Sequence, residues 1–197
     1  MRVAAFDGWA CWKRPGLRAM SVLLACLFAA TGATAQDVSI ETRRRGEALA
    51  IEGRVLLVAP IAVAWAVLTD YEHLPRFIPG ILASRVVSRD GDTLVLEQAG
   101  EIGALLFSMP VEARLAVVET PYRSIASRGL SGSFRSMQGR YDLREVGGAI
   151  EFRYSGTIVP DTWLPSFLGD GLLAAHVDRQ FRALVAEIAR RAAGGAE

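Results

Sequence analysis

Residues 65–81 read W-A-V-L-T-D-Y-E-H-L-P-R-F-I-P-G-I, and this stretch decides the fold. It opens as a helix, because Ile61, Trp65 and Leu68 recur at spacings of four and three. Pro60 suits the start of such a helix, where a missing backbone N–H has no intrahelical use. Leu74, Phe77 and Ile78 follow, interrupted by Pro75 and Pro79. Each proline disfavours helix in the residue before it, so the chain turns here through short pieces with one apolar face. Asp70, at the helix end, is predicted to cap the next turn through its side chain. His73 reads as a solvated residue of that turn.

Trp65, Asp70, Tyr71, Pro75, Phe77 and Pro79 together resemble the first helix pair of the START-like (SRPBCC) superfamily, in the branch of polyketide cyclases and coenzyme Q-binding START proteins. Residues 160–168, P-D-T-W-L-P-S-F-L, resemble that family's proline-bearing lead into its last helix. The resemblance covers about residues 38–191. It implies an α+β helix-grip fold, in which a curved antiparallel sheet surrounds a long C-terminal helix and an apolar ligand lies between them.

Residues 1–35 are of another kind. Arg2, Lys13, Arg14 and Arg18 precede an almost wholly apolar run at residues 20–30, and Ala33-Thr34-Ala35 then supplies small residues at the spacing of a cleavage site. This is the order of a secretory signal peptide, and the apolar run is too short for an ordinary transmembrane helix. The expectation is cleavage near Ala35 and export to the periplasm or beyond; an uncleaved anchor or a lipidated Cys26 are the alternatives. Residues 36–197 then form one domain, close to the common domain size. Cys11, Cys26 and Lys13 all fall in the leader, so the remaining chain has neither cysteine nor lysine. It therefore offers no thiolate nucleophile and no Schiff-base amine. Losing four basic residues and Asp7 moves the formal charge from +1 to about −2, which argues against an electrostatic nucleic-acid binder.

Most of the remainder alternates. Leu49, Ile51, Val55 and Leu57 against Glu52 and Arg54 mark a half-buried strand. Val38 and Ile40 begin a shorter one that Arg43-Arg44-Arg45 is expected to interrupt, as a solvated loop or edge. Asp90-Gly91-Asp92 and Gly147-Gly148 each sit between two such runs and predict hairpins. Residues 105–117 form the clearest strand, with Phe107, Met109, Val111, Ala113, Leu115 and Val117 on one face; Pro110 predicts a bulge or an edge there. Residues 124–128 are a further strand, and Gly129-Leu130-Ser131-Gly132 reads as a turn. Glu52, Glu112 and Glu151 share faces with arginines and are predicted to be solvated. Leu173, Val177, Phe181, Leu184 and Ile188 make the apolar stripe of a long C-terminal helix, with Asp178, Arg179, Arg182 and Arg190 outside and fraying from Ala192. One-faced sheet plus one covering helix is an α+β layout.

No catalytic constellation emerges. The chain has only two histidines, and no G-x-S-x-G elbow or histidine cluster for zinc is present. His176 is the nearest to a general acid or base, about 100° round the C-terminal helix from the centre of its stripe. The better candidates line an apolar cavity: Phe107, Met109, Met137, Tyr141, Phe152 and Tyr154 from the sheet, and Val177, Gln180 and Phe181 from the helix. Methionine fits irregular shapes, and tyrosine brings a polar tip into an apolar wall. Trp163, Leu164, Phe167 and Leu168 cluster before the helix; Trp163 and Phe167 are read as a gate that can also touch a membrane transiently.

The reading that follows is an exported, non-enzymatic binder of a hydrophobic small molecule, with no cofactor and no metal. The resemblance implies a lipid, an isoprenoid quinone or a polyketide-like aromatic. The alternative is a cyclase or aromatase using the same cavity with His176, Tyr141 and Tyr154; it ranks second because no acid is paired with a base. A third reading is an envelope protein-interaction domain built on the Trp163 segment.

Overall fold

In the computed structural model, which describes residues 38–104, 107–160 and 166–195, alternation at the N-terminus becomes a hairpin. Strand β1 (Ser39–Arg45) runs straight through the arginine triplet that was expected to interrupt it. It is an outer strand paired only with β2 (Ala48–Leu57), and its side chains stay mostly exposed, so three arginines cost it little. Charged side chains at a sheet edge also discourage pairing with another chain.

Pro60 stands just before α1 (Ile61–Leu68) and not inside it. Its carbonyl accepts the first helical bonds, from the N–H groups of Val63 (3.0 Å) and Ala64 (3.3 Å). A short 3-10 turn, Tyr71–Arg76, follows. Asp70 does not cap it, contrary to expectation. One carboxylate oxygen lies 2.6 Å from His73 Nδ1, and the other accepts a bond from Arg191 Nη2 at 2.8 Å. Asp70 therefore ties the turn to the far end of the chain. The Arg191 guanidinium also lies 5.3 Å from the Phe77 ring centre.

The rest of the sheet is β3 (Ile81–Asp90), β4 (Thr93–Ala104), β5 (Phe107–Thr120), β6 (Ser124–Gly132), β7 (Phe134–Val146) and β8 (Ala149–Pro160). Strand β6 runs on through the Gly/Ser segment that reads as a turn. Gly147 and Gly148 both have positive φ, as a two-residue hairpin turn with the sheet's own twist requires. Pro110 pairs in register with Glu101, while β6 begins to pair only at Ala113; β5 is thus one-sided at its proline. The eight strands are antiparallel in the order β1-β2-β8-β7-β6-β5-β4-β3, so β8 joins the N-terminal hairpin to the meander.

Helix α2 (Ser166–Gly194) lies in the curve of this sheet and continues to Gly194, past the expected fraying point. Leu173, Phe181, Leu184 and Ile188 are buried as its stripe predicts, with Val185 beside them. This is the helix-grip arrangement. One burial runs against the reading of charge. Glu151 is only 3% exposed, because Arg54, Arg144 and Arg153 cover it. Hydrogen bonds from Arg153 and then Arg144 hold its carboxyl down to about 2 against the opposing pull of burial. Glu187 on α2 is also buried, under Arg190 and Arg191.

Candidate functional site

Between α2 and the sheet the side chains leave a cavity of about 220 Å³. A space of about 150 Å³ lined by aliphatic and aromatic groups is enough to hold a benzene ring. The gap is therefore large enough to hold a ring-sized molecule.

Six of the residues expected here line it: Met137, Tyr141 and Tyr154 from β7 and β8, and Val177, Gln180 and Phe181 from α2. Phe152 does not. It is fully buried one layer behind, its ring stacked on Phe181 (centroids 5.1 Å apart) and on Tyr141 (5.6 Å). This stack is the wall's support, and the two neighbours that it braces are themselves wall residues. Met109 is half-buried but is not part of the wall. Phe107 and Phe167 belong to β5 and α2, but their side chains, like Trp163, lie outside the described residues.

The first helix pair contributes more than the sequence reading allowed. Leu68, Tyr71, Leu74 and Ile78 all face the cavity. Proline-broken turns let a short segment fold back and present these residues from one side. Strand residues Leu96 and Leu115 were also missed as wall, though their alternation points inward.

His176 comes into the wall and is only 8% exposed. The helical period alone leaves it at the margin of the buried stripe, but the buried arc is wider than the stripe. The chain around Pro79 and Gly80 closes over that side of α2, where Gln180 Nε2 donates to the Pro79 carbonyl (3.2 Å) and Arg179 Nη2 to that of Gly103 (3.1 Å). Gly80 makes this closeness possible: a Cβ there would stand 2.5 Å from His176 Cε1. Burial, and then the nearby Arg179 charge, push the imidazole down to about 4, so it is neutral at physiological pH.

The two wall tyrosines pack ring to ring, centroids 4.8 Å apart. Burial pushes Tyr154 up to about 12. It pushes Tyr141 higher still, with the neighbouring Tyr154 adding to the effect. Both are therefore hydrogen-bond groups and not phenolate bases. Tyr71 is committed elsewhere, since its hydroxyl donates to Glu119 (2.8 Å), which Arg89 also grips with both terminal nitrogens (3.0 and 3.1 Å). Glu119 continues the inward face of β5 beyond Leu115 and Val117, so alternation could have found it.

Among the described residues, no group of three or more histidines, cysteines or carboxylates could hold a metal ion. No carboxylate there hydrogen-bonds His176, so the wall holds no paired acid and base among the described residues.

The sequence profile of the polyketide cyclase / dehydrase and lipid transport family matches residues 57–185, well over half of the chain. No curated protein matches by sequence. Among solved structures, the Zhui aromatase/cyclase from Streptomyces sp. R1128 is similar at 16% identity and a TM-score of 0.63, covering 74% of this chain and 93% of that one. A START superfamily protein from Mycobacterium smegmatis is similar at 16% identity and a TM-score of 0.62, covering 72% and 97%. A STAR-related lipid transfer protein from Xanthomonas axonopodis is similar at 13% identity and a TM-score of 0.61, covering 78% and 98%. At such identities these likenesses are of fold.

Proposed function

The chain belongs to the polyketide cyclase / dehydrase and lipid transport family, and from that premise we propose that it is a non-enzymatic carrier of a hydrophobic small molecule. The observation that carries this reading is the cavity of about 220 Å³ between α2 and the sheet, walled mainly by aliphatic and aromatic side chains. Burial of the ligand's apolar surface supplies the affinity, at about 25 cal/mol per Å². The lipid transport in the family's description supports an apolar occupant of that gap. A cyclase would use His176 to move a proton, but that imidazole has no carboxylate beside it to set its tautomer or hold its charge. The proposal includes export, with the leader removed near Ala35 and Trp163 and Phe167 gating the cavity; an N-terminal mass beginning at Met1 in exported protein would refute the cleavage.

Native mass spectrometry of detergent-free protein tests the carrier reading. A fraction carrying a bound apolar molecule, removable by solvent and restored on adding it back, is expected. Protein that stays empty and fails to take up naphthalene or any acyl chain would refute it.

A further inference from the structure

Three polar side chains of the cavity wall have no hydrogen-bond partner among the described residues: His176, Tyr141 and Tyr154. The wall's other polar members are mostly engaged: Gln180 with the Pro79 carbonyl (3.2 Å), Ser127 with the Gly139 carbonyl (3.3 Å), Gln98 with Ser84 (3.4 Å) and Tyr71 with Glu119 (2.8 Å). His176, more than nine-tenths buried, hydrogen-bonds none of the described residues. No buried side-chain nitrogen or oxygen among them is sealed off without a partner, so its ring nitrogens keep accessible surface in a residue that lines the cavity.

The surroundings fix both the position and the charge of that ring. Gly80 packs against one edge, and the bonds of Arg179 and Gln180 to the neighbouring backbone hold this part of α2 in place. The wall has no arginine or lysine among its described residues; Glu112 is its one carboxylate, on an exposed position at the rim. An ionised ligand would therefore find no counter-charge inside, and burying an unpaired charge is costly. An apolar ligand with one hydroxyl meets no such cost. Its O–H can donate to the free nitrogen of a neutral imidazole.

We propose that His176 is a specificity-determining contact of this cavity, accepting a hydrogen bond from a hydroxyl on a compact, uncharged ring ligand, while the wall discriminates against carboxylates of the same shape. The inference rests on the carrier reading above and adds the choice among ligands. The volume suits one or two fused rings, given that about 150 Å³ holds a single ring.

Three probes of nearly equal shape test it: naphthalene, 1-naphthol and 1-naphthoate, titrated fluorimetrically into the full chain at about pH 7. 1-Naphthol should bind about three- to tenfold tighter than naphthalene, the range of one neutral hydrogen bond. 1-Naphthoate should bind at least about tenfold more weakly than 1-naphthol, since it brings a charge into a wall without a cation. His176→Leu should bring 1-naphthol to within about twofold of naphthalene measured on the same variant. If naphthalene binds but 1-naphthol gains nothing over it, or 1-naphthoate binds as well as 1-naphthol, the proposal is overturned and the cavity reading stands. If neither naphthalene nor 1-naphthol binds, both fall together. Should His176→Leu not fold, imidazole nitrogen NMR on the unaltered protein decides, with only two histidines to assign. The His176 signals should move with 1-naphthol and not with naphthalene; any other pattern overturns the proposal.

Discussion

Lowering the pH from 7 to 5 should destabilise this protein through His176 before the carboxylates contribute much. The folded chain holds that imidazole at about 4, against an ordinary value of 6.5. A base whose folded value is depressed refuses a proton that the unfolded chain accepts. Its contribution is whole above pH 6.5 and drains away as pH falls toward 4. A difference of about 2.5 units corresponds to about 3 kcal/mol when complete, of which about 2 kcal/mol is gone by pH 5. The side chain is nearly buried, so solvent screening removes little of this. The charges around it work in the same direction: Arg179 on the next turn of α2 opposes protonation, Glu112 is out at the rim, and Tyr141 and Tyr154 stay uncharged. Glu151 and Glu187, both held near 2, lose their stabilising effect mainly below pH 4.5, outside this window. The assay is urea unfolding of the unaltered chain and of His176→Leu at half-unit steps from pH 7.5 to 4.5. The difference between the two curves isolates the imidazole, because every other titrating group is common to both. The unaltered protein should lose about 2 kcal/mol relative to the variant by pH 5. Parallel curves across that range would show that the ring is hydrated or already paired, and would remove the basis for calling it a free, neutral group.

Three further outcomes follow from the packing. Phe181→Ala removes a ring that is 2% exposed and stacked on Phe152; it should cost about 3–5 kcal/mol in denaturant unfolding and let the cavity accept rings larger than naphthalene. Gly100→Ala would drive a Cβ into the Gly80 carbonyl oxygen, a backbone atom that cannot swing aside, so thermal unfolding should show a loss of about 1–3 kcal/mol. Asp70→Ala unties the 3-10 turn from Arg191 and His73; amide exchange in residues 71–78 should quicken while the strands of the sheet keep their protection.

Much of the fold is legible because its signals are local. Alternation in β5, β7 and β8 and the two-glycine turn between the last pair need only neighbouring residues to be read, and each appears as expected. The misreadings occur where a distant partner changes the meaning of a residue. Asp70 looks like a cap because the residues next to it form a turn; its partner Arg191 is 121 positions away. Glu151 looks solvated because it shares a face with arginines, and the same arginines are what cover it.

The site divides along the same line. Met137, Tyr141, Tyr154, Val177 and Phe181 are wall because the faces of their own strand or helix put them there. Phe152 sits on the correct face too, but a face does not say which ring fills the first layer and which the second; that depends on how Phe181 stacks against it. His176 shows the limit most clearly. A helical wheel assigns inside and outside as though the covering surface were flat, and on that basis the residue is marginal. A sheet that curves, with a glycine at Gly80 where its entry loop meets the helix, covers a broader arc and draws the marginal residue inside. The width of the buried arc is a property of the sheet and of the loop, and neither is written in the periodicity of α2. Polar residues at the margins of an apolar stripe are therefore where a curved cover turns a surface side chain into a cavity group. In this chain His176 and Gln180 occupy those margins, and only His176 is left without a backbone partner.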